Sequence, residues 1–112
     1  MRALFVELPA FERHRSSYLD DEAFGDLQQE LLERPDSGDV IPGTGGLRKV
    51  RFADARRGKG KRGGLRIIYF WWEQRSRFWL FAVYSKDEVE DLSQKEKRIL
   101  KGMLEAELKA RQ

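Results

Sequence analysis

Hydrophobic and polar positions change their spacing several times along the chain, and each change marks an element. Residues 2–8 alternate, with Leu4 and Val6 on one side and Ala3 and Phe5 on the other, which predicts a short strand. Pro9 suits the first turn of a helix, and Phe11, His14 or Arg15, and Tyr18 follow along one side to about Tyr18. Asp20 is placed to cap a second helix, with Asp21 and Glu22 in the first turn, where carboxylates meet the positive end of the dipole. Phe24, Leu27, Leu31 and Leu32 form its apolar stripe, and Pro35 stops it near Arg34. The segment from Asp36 to Gly46 is turn-rich, with Val40 and Ile41 tucking back onto the body. Period-two alternation then sets Leu47, Lys49 and Arg51 against Arg48, Val50 and Phe52. Beyond a glycine-studded loop, the unbroken apolar run from Ile67 to Trp72 predicts a central strand covered on both faces. Glu73 to Arg77 is turn-like. The next strand sets Phe78, Leu80, Ala82 and Tyr84 against Trp79, Phe81 and Val83. Ser93-Gln-Lys-Glu96 is a capping box opening a last helix, with Ile99, Leu100, Met103, Leu104 and Leu108 at helical spacing to about Ala110.

These elements predict an α+β fold: a four-stranded, mostly antiparallel sheet with two N-terminal helices and a C-terminal helix. Two successive hairpins give a three-strand meander, and the first strand pairs most simply alongside the central one. The helices are expected on one side of the sheet, the last of them packing on the sheet or on the helical layer. At 112 residues the chain reads as one domain, 1–112, with one core. Three Trp, seven Phe and three Tyr make that core feasible without staples. At most one of Trp71 and Trp72 is expected to face the helices, leaving the other for a base or a partner.

Composition narrows the chemistry. There is no cysteine, so disulfides and thiolate metal sites are excluded, and His14 is the one histidine. No cofactor and no metal is expected. The apolar run at the N-terminus is too short for a signal peptide, and no stretch is long enough to cross a bilayer. A cytoplasmic protein with no membrane partner is the expectation.

Charge changes the picture most. Between Gly46 and Arg66, nine cations stand against the single carboxylate Asp54, while the whole chain carries a formal charge of only +3. A basic hairpin on a net acidic body calls for a polyanion. Arg56, Arg57, Lys59, Lys61 and Arg62 lie in the loop, where glycines allow close approach to a phosphate backbone. Arg48, Lys49, Arg51 and Arg66 lie inside predicted strands, where a rigid frame fixes them. The loop is not a Walker loop, because no Ser or Thr follows Lys61. Tyr84 and Lys86 close the last strand, where a polar group can be presented to a ligand.

Three stretches resemble the RelE/ParE superfamily of bacterial toxins, and most closely its HigB branch. They are Gly43-Thr-Gly-Gly-Leu-Arg-Lys-Val-Arg51, Gly58-Lys-Gly-Lys-Arg-Gly-Gly-Leu-Arg-Ile-Ile-Tyr69 and Phe81-Ala-Val-Tyr-Ser-Lys86. The order of elements is similar over nearly the whole chain. The resemblance implies an mRNA interferase, a ribosome-dependent endoribonuclease that cuts by attack of an RNA 2′-hydroxyl on the adjacent phosphate. It implies a HigA-like helix-turn-helix antitoxin as partner, with operator DNA bound only through that antitoxin. By position, Lys49 and Arg51 match the paired basic residues of the first central strand, Arg66 the arginine of the next, and Lys86 the basic residue after the last. Members of that family differ in the groups they place near this strand end, and here Lys86 is followed by the acidic Asp87.

That chemistry agrees with the residues. RNA supplies its own nucleophile, so no serine or cysteine is required. Crowded cations lower a lysine's affinity for its proton, which lets Lys49 serve as base. Arg51 and Arg66 stabilise charge developing on phosphate, and Lys86 or Tyr84 supplies a proton to the leaving oxygen. Arg48 and the loop cations would bind RNA. The competing expectation is a non-catalytic binding module, or a ParE-like toxin acting on a partner protein such as gyrase.

Overall fold

A computed structural model describes residues 1–54, 58–60, 64–89 and 91–111. Strand β1 (Leu4–Glu7) leads into helices α1 (Pro9–Tyr18) and α2 (Asp21–Glu33). Strands β2 (Asp39–Val40), β3 (Arg48–Phe52), β4 (Leu65–Trp72) and β5 (Arg77–Ser85) follow, and helix α3 (Gln94–Ala110) comes last. The helix boundaries follow the local chemistry. Pro9 stands at the start of α1. Asp20 accepts a hydrogen bond from the Ala23 N–H at 2.8 Å and caps α2. In α3 the Ser93 hydroxyl accepts from the Glu96 N–H at 3.1 Å, while the Glu96 carboxylate accepts from the Ser93 N–H at 2.9 Å.

The sheet has five strands rather than the four expected, in the order β1-β5-β4-β3-β2. The additional strand, β2, is two residues long and pairs antiparallel with β3, Asp39 opposite Lys49 and Val40 opposite Arg48. Two residues carry no periodicity, so their pattern could not announce a strand. The predicted meander is present as β3, β4 and β5. The first strand does not lie beside the central one: β4 is already flanked on both edges, and β1 pairs in parallel with β5. The sheet is therefore mixed.

The helices are not on one side. Phe11, Leu19, Phe24, Leu27 and Leu31 from the α1–α2 segment bury against Val50, Leu65, Ile67, Tyr69 and Phe78 on one face. Leu104 of α3 buries against Ile68, Trp79 and Phe81 on the other. The apolar side chains thus form two clusters separated by the sheet, in place of the single core expected. The cause lies in β4, which is apolar on both faces and so asks for cover on each. The same arrangement places Trp71 and Trp72 in different clusters. Trp71 stacks on Phe78 with ring centroids 4.4 Å apart, and Trp72 meets Trp79 edge-on at 5.1 Å.

One irregularity decides what the α3 face carries. Along β4 and β5 the register runs Arg66 opposite Tyr84 and Ile68 opposite Ala82, then shifts so that Tyr69 faces Leu80. Phe81 is left over as a bulge, and the alternation of β5 changes parity there. Trp79, Phe81, Ala82 and Tyr84 all belong to the α3 side, whereas Phe78, Leu80 and Val83 belong to the other. The strict alternation expected from the sequence would have separated Tyr84 from Trp79 and Phe81.

Candidate nucleic-acid site on the α3 face

The register of β3, β4 and β5 sets Arg51 opposite Arg66 and Arg66 opposite Tyr84, a single row across three strands. Residues directly opposite on one face lie about 4.5–5.5 Å apart at Cβ, so the row is close-set. Lys49 stands in the next row on the same face, opposite Ile68. Tyr84 joins this row only because of the bulge at Phe81.

Arg66 is 6% exposed, and its guanidinium donates to the Leu65 carbonyl at 3.1 Å. Burial lowers its affinity for its proton, the Arg51 charge lowers it further, and Tyr84 opposes both. A guanidinium stays cationic through such a shift. The result is a buried cation beside an exposed one, Arg51. Tyr84 is half-buried. Burial raises its affinity for its proton, Arg66 opposes this, and the carboxylates of Glu96 and Asp91 add to it. Its phenol is a proton donor at neutral pH.

Lys49 and Arg51 open onto a cleft of about 250 Å³. Asp39, Val40, Ile41 and Pro42 form one wall, and Asp91, Leu92 and Lys97, on the approach to α3 and its first turn, form the other. A second cleft of about 280 Å³ shares Asp39, Lys49 and Arg51 on the β2 side and adds Glu30, Arg34 and Ser37. Among the described residues, neither Lys49 nor Arg51 is held in a salt bridge. Asp39, Asp91 and Lys97 were not singled out from the sequence. Lys97 is marked only by its place in the first turn of a capped helix, and the two aspartates only by cross-strand or through-space partners.

Lys86 follows the end of β5 and is half-buried, its N–H donating to the Gly64 carbonyl at 3.1 Å. Gly64 sits where no side chain fits: a Cβ would lie 2.5 Å from the Phe52 carbonyl oxygen and 2.7 Å from that of Gly60. This crossing pins the base of the basic loop against the end of β5. Lys59 pairs with the Asp87 carboxylate, and its backbone exchanges hydrogen bonds with Asp54 at 2.8 and 2.9 Å. Asp87, the acidic residue after Lys86, is thus a partner of the loop.

Arg48 is not brought to this face. It lies opposite Tyr69 on the α1–α2 side, where its guanidinium donates to the carbonyls of Gly38 at 2.8 Å and Asp36 at 3.4 Å. Arg56, Arg57, Lys61 and Arg62 fall outside the described residues. His14 is exposed on α1, away from the cleft. No helix is long and apolar enough, among the described residues, to cross a membrane.

No family model matches the sequence. Among solved structures, the chain is similar to that of a doubly substituted E. coli toxin RelE in the free state. The identity is 18% and the TM-score 0.52, with 80% of this chain and 90% of that chain covered. At that identity the likeness speaks for architecture alone: a five-stranded sheet with two N-terminal helices and one C-terminal helix makes an α+β fold resembling that of RelE.

Proposed function

We propose that this protein is an mRNA interferase toxin, a ribosome-dependent endoribonuclease of HigB type, held in check by a HigA-like helix-turn-helix antitoxin. The observation that carries the reading is the row Arg51–Arg66–Tyr84, with Lys49 beside it, at the mouth of a cleft in a RelE-like fold. Two cations and a neutral phenol in line provide what transphosphorylation needs at phosphorus: charge to meet the developing dianion and a proton for the leaving 5′-oxygen. Lys49, Arg51 and Arg66 hold the phosphate. Tyr84 or Lys86 supplies the proton. Arg66, fixed by burial, costs no reorganisation when charge builds up. The loop cations extend the grip along the backbone.

Induction without antitoxin is expected to stop growth and to leave translated messages cut, with ends mapped by primer extension. Growth arrest with intact messages and altered DNA supercoiling would instead identify a protein target. Lys49→Ala that arrests growth as fast as the parent would remove the cleft from the account.

A further inference from the structure

A cleft built for a polyanion should not contain a carboxylate, because like charge costs binding. Asp91 nevertheless lines the cleft that Lys49 and Arg51 open onto. It also lies within electrostatic reach of the Tyr84 phenol, at the other end of the Arg51–Arg66–Tyr84 row. Asp91 therefore stands beside the row rather than at a distant rim. On the reading of this protein as a ribonuclease, we propose that the Asp91 carboxylate is the general base that takes the proton from the attacking 2′-hydroxyl.

The surrounding charges fit that role. Lys49 and Arg51 from β3 and Lys97 from α3 share the cleft with Asp91, and among the described residues Asp39 of β2 is the other carboxylate there. Tyr84, with Arg66 and Glu96 acting on it, closes the far end. Three cations offset the repulsion between Asp91 and an incoming phosphate. An ionised carboxylate is an acceptor only, so it orients a hydroxyl with the proton toward itself and the oxygen toward phosphorus. The step balances. The 2′-oxygen gives its proton to Asp91 and forms a bond to phosphorus. The phosphorus–5′-oxygen bond breaks with its electron pair on the oxygen, which takes a proton from Tyr84 or Lys86. The products are a 2′,3′-cyclic phosphate and a 5′-hydroxyl end. Lys49, suggested by the sequence as the base, then serves as a cation on the phosphate.

Asp91 also stands two residues ahead of the Ser93 cap, where a negative charge favours the start of α3. That structural role would move stability and leave the pH dependence of cleavage in place. Single-turnover cleavage of ribosome-bound message by the full chain separates the two. The parent rate is expected to rise with pH along an acid limb and then level. Asp91→Asn is expected to lose about 10²–10⁴-fold in rate at saturation, with the acid limb abolished and message affinity unchanged or tighter. Asp91→Glu, which keeps the carboxylate, is expected to keep the limb. An Asp91→Asn chain that cuts at the parental rate with the parental limb overturns the assignment alone. An Asp91→Glu chain without the limb does the same, and serves where the Asn variant fails to fold. A parent chain that leaves ribosome-bound message intact overturns the ribonuclease reading and this assignment together.

Discussion

The two faces of one sheet are put to opposite uses. Toward α1 and α2, the pairs Phe52–Leu65, Val50–Ile67–Val83 and Tyr69–Leu80 are apolar, and Arg48, on that side, turns its guanidinium to carbonyls of the 36–38 turn. Toward α3, the face divides. Trp79, Phe81 and Leu104 form a dry half, while Lys49, Arg51, Arg66 and Tyr84 form a charged half beside the first turn of the helix. The first face spends its residues on packing. The second keeps Arg51 opposite Arg66, a repulsion that costs stability and that an anionic ligand would relieve.

The difference can be broken most strongly from the dry side. Phe11 is fully buried on α1 and lies against Phe24 at 5.9 Å between ring centroids. Phe11→Ala is expected to cost about 3–5 kcal/mol of stability, since transfer and cavity terms add. Urea denaturation measures it. A loss under about 1 kcal/mol would mean that this face is loosely packed and that the contrast between faces is false.

Arg51→Ala probes the charged half and should behave in the reverse way. Stability is expected to hold or rise, because the substitution removes an exposed cation opposite a buried one. Cleavage of ribosome-bound message is expected to fall about 10²–10³-fold, the scale for losing one preorganised donor at a developing charge. Thermal melting and the cleavage assay, run on the same preparation, check both halves. A variant destabilised in step with its lost activity would make Arg51 part of the scaffold.

The sequence carried the elements further than their arrangement. The Asp20 cap, the Ser93–Glu96 box and the stop at Pro35 are local devices, and each helix stands where they put it. The run from Ile67 to Trp72 announced a strand covered twice. What was not legible is non-local. Which edge β1 occupies depends on β5, not on β1's own pattern. A two-residue β2 has no period to detect. The bulge at Phe81 moves Tyr84 to the other face without altering any apolar count in β5. For the site, cation spacing placed Lys49 and Arg51 together, since residues two apart in a strand share a face. It grouped Arg48 with them on composition, where the pleat separates them. Asp91 escaped notice because it is one of four acidic residues between Asp87 and Asp91, with no spacing to set it apart.

The smallest expected effect compares one tyrosine from each face, Tyr69 buried and Tyr84 half-buried. Burial is the main cause that raises the proton affinity of both Tyr69 and Tyr84. The opposing forces differ: for Tyr69 chiefly the hydrogen bond from the Gly38 N–H, for Tyr84 the Arg66 cation. In each case the fold favours the neutral phenol. The stability each contributes is therefore complete below the ordinary tyrosine value of 10.0 and is lost as pH climbs through the higher folded value. Tyr84→Phe removes one of the two, so its stability should decline less steeply above about pH 10 than the parent's. Phenolate absorbance should show the same variant losing a late-titrating tyrosine. If the step that vanishes is instead an ordinary one near 10, Tyr84 meets water freely. The Arg51–Arg66–Tyr84 row would then lack the sheltered proton donor on which the charged half of the sheet depends.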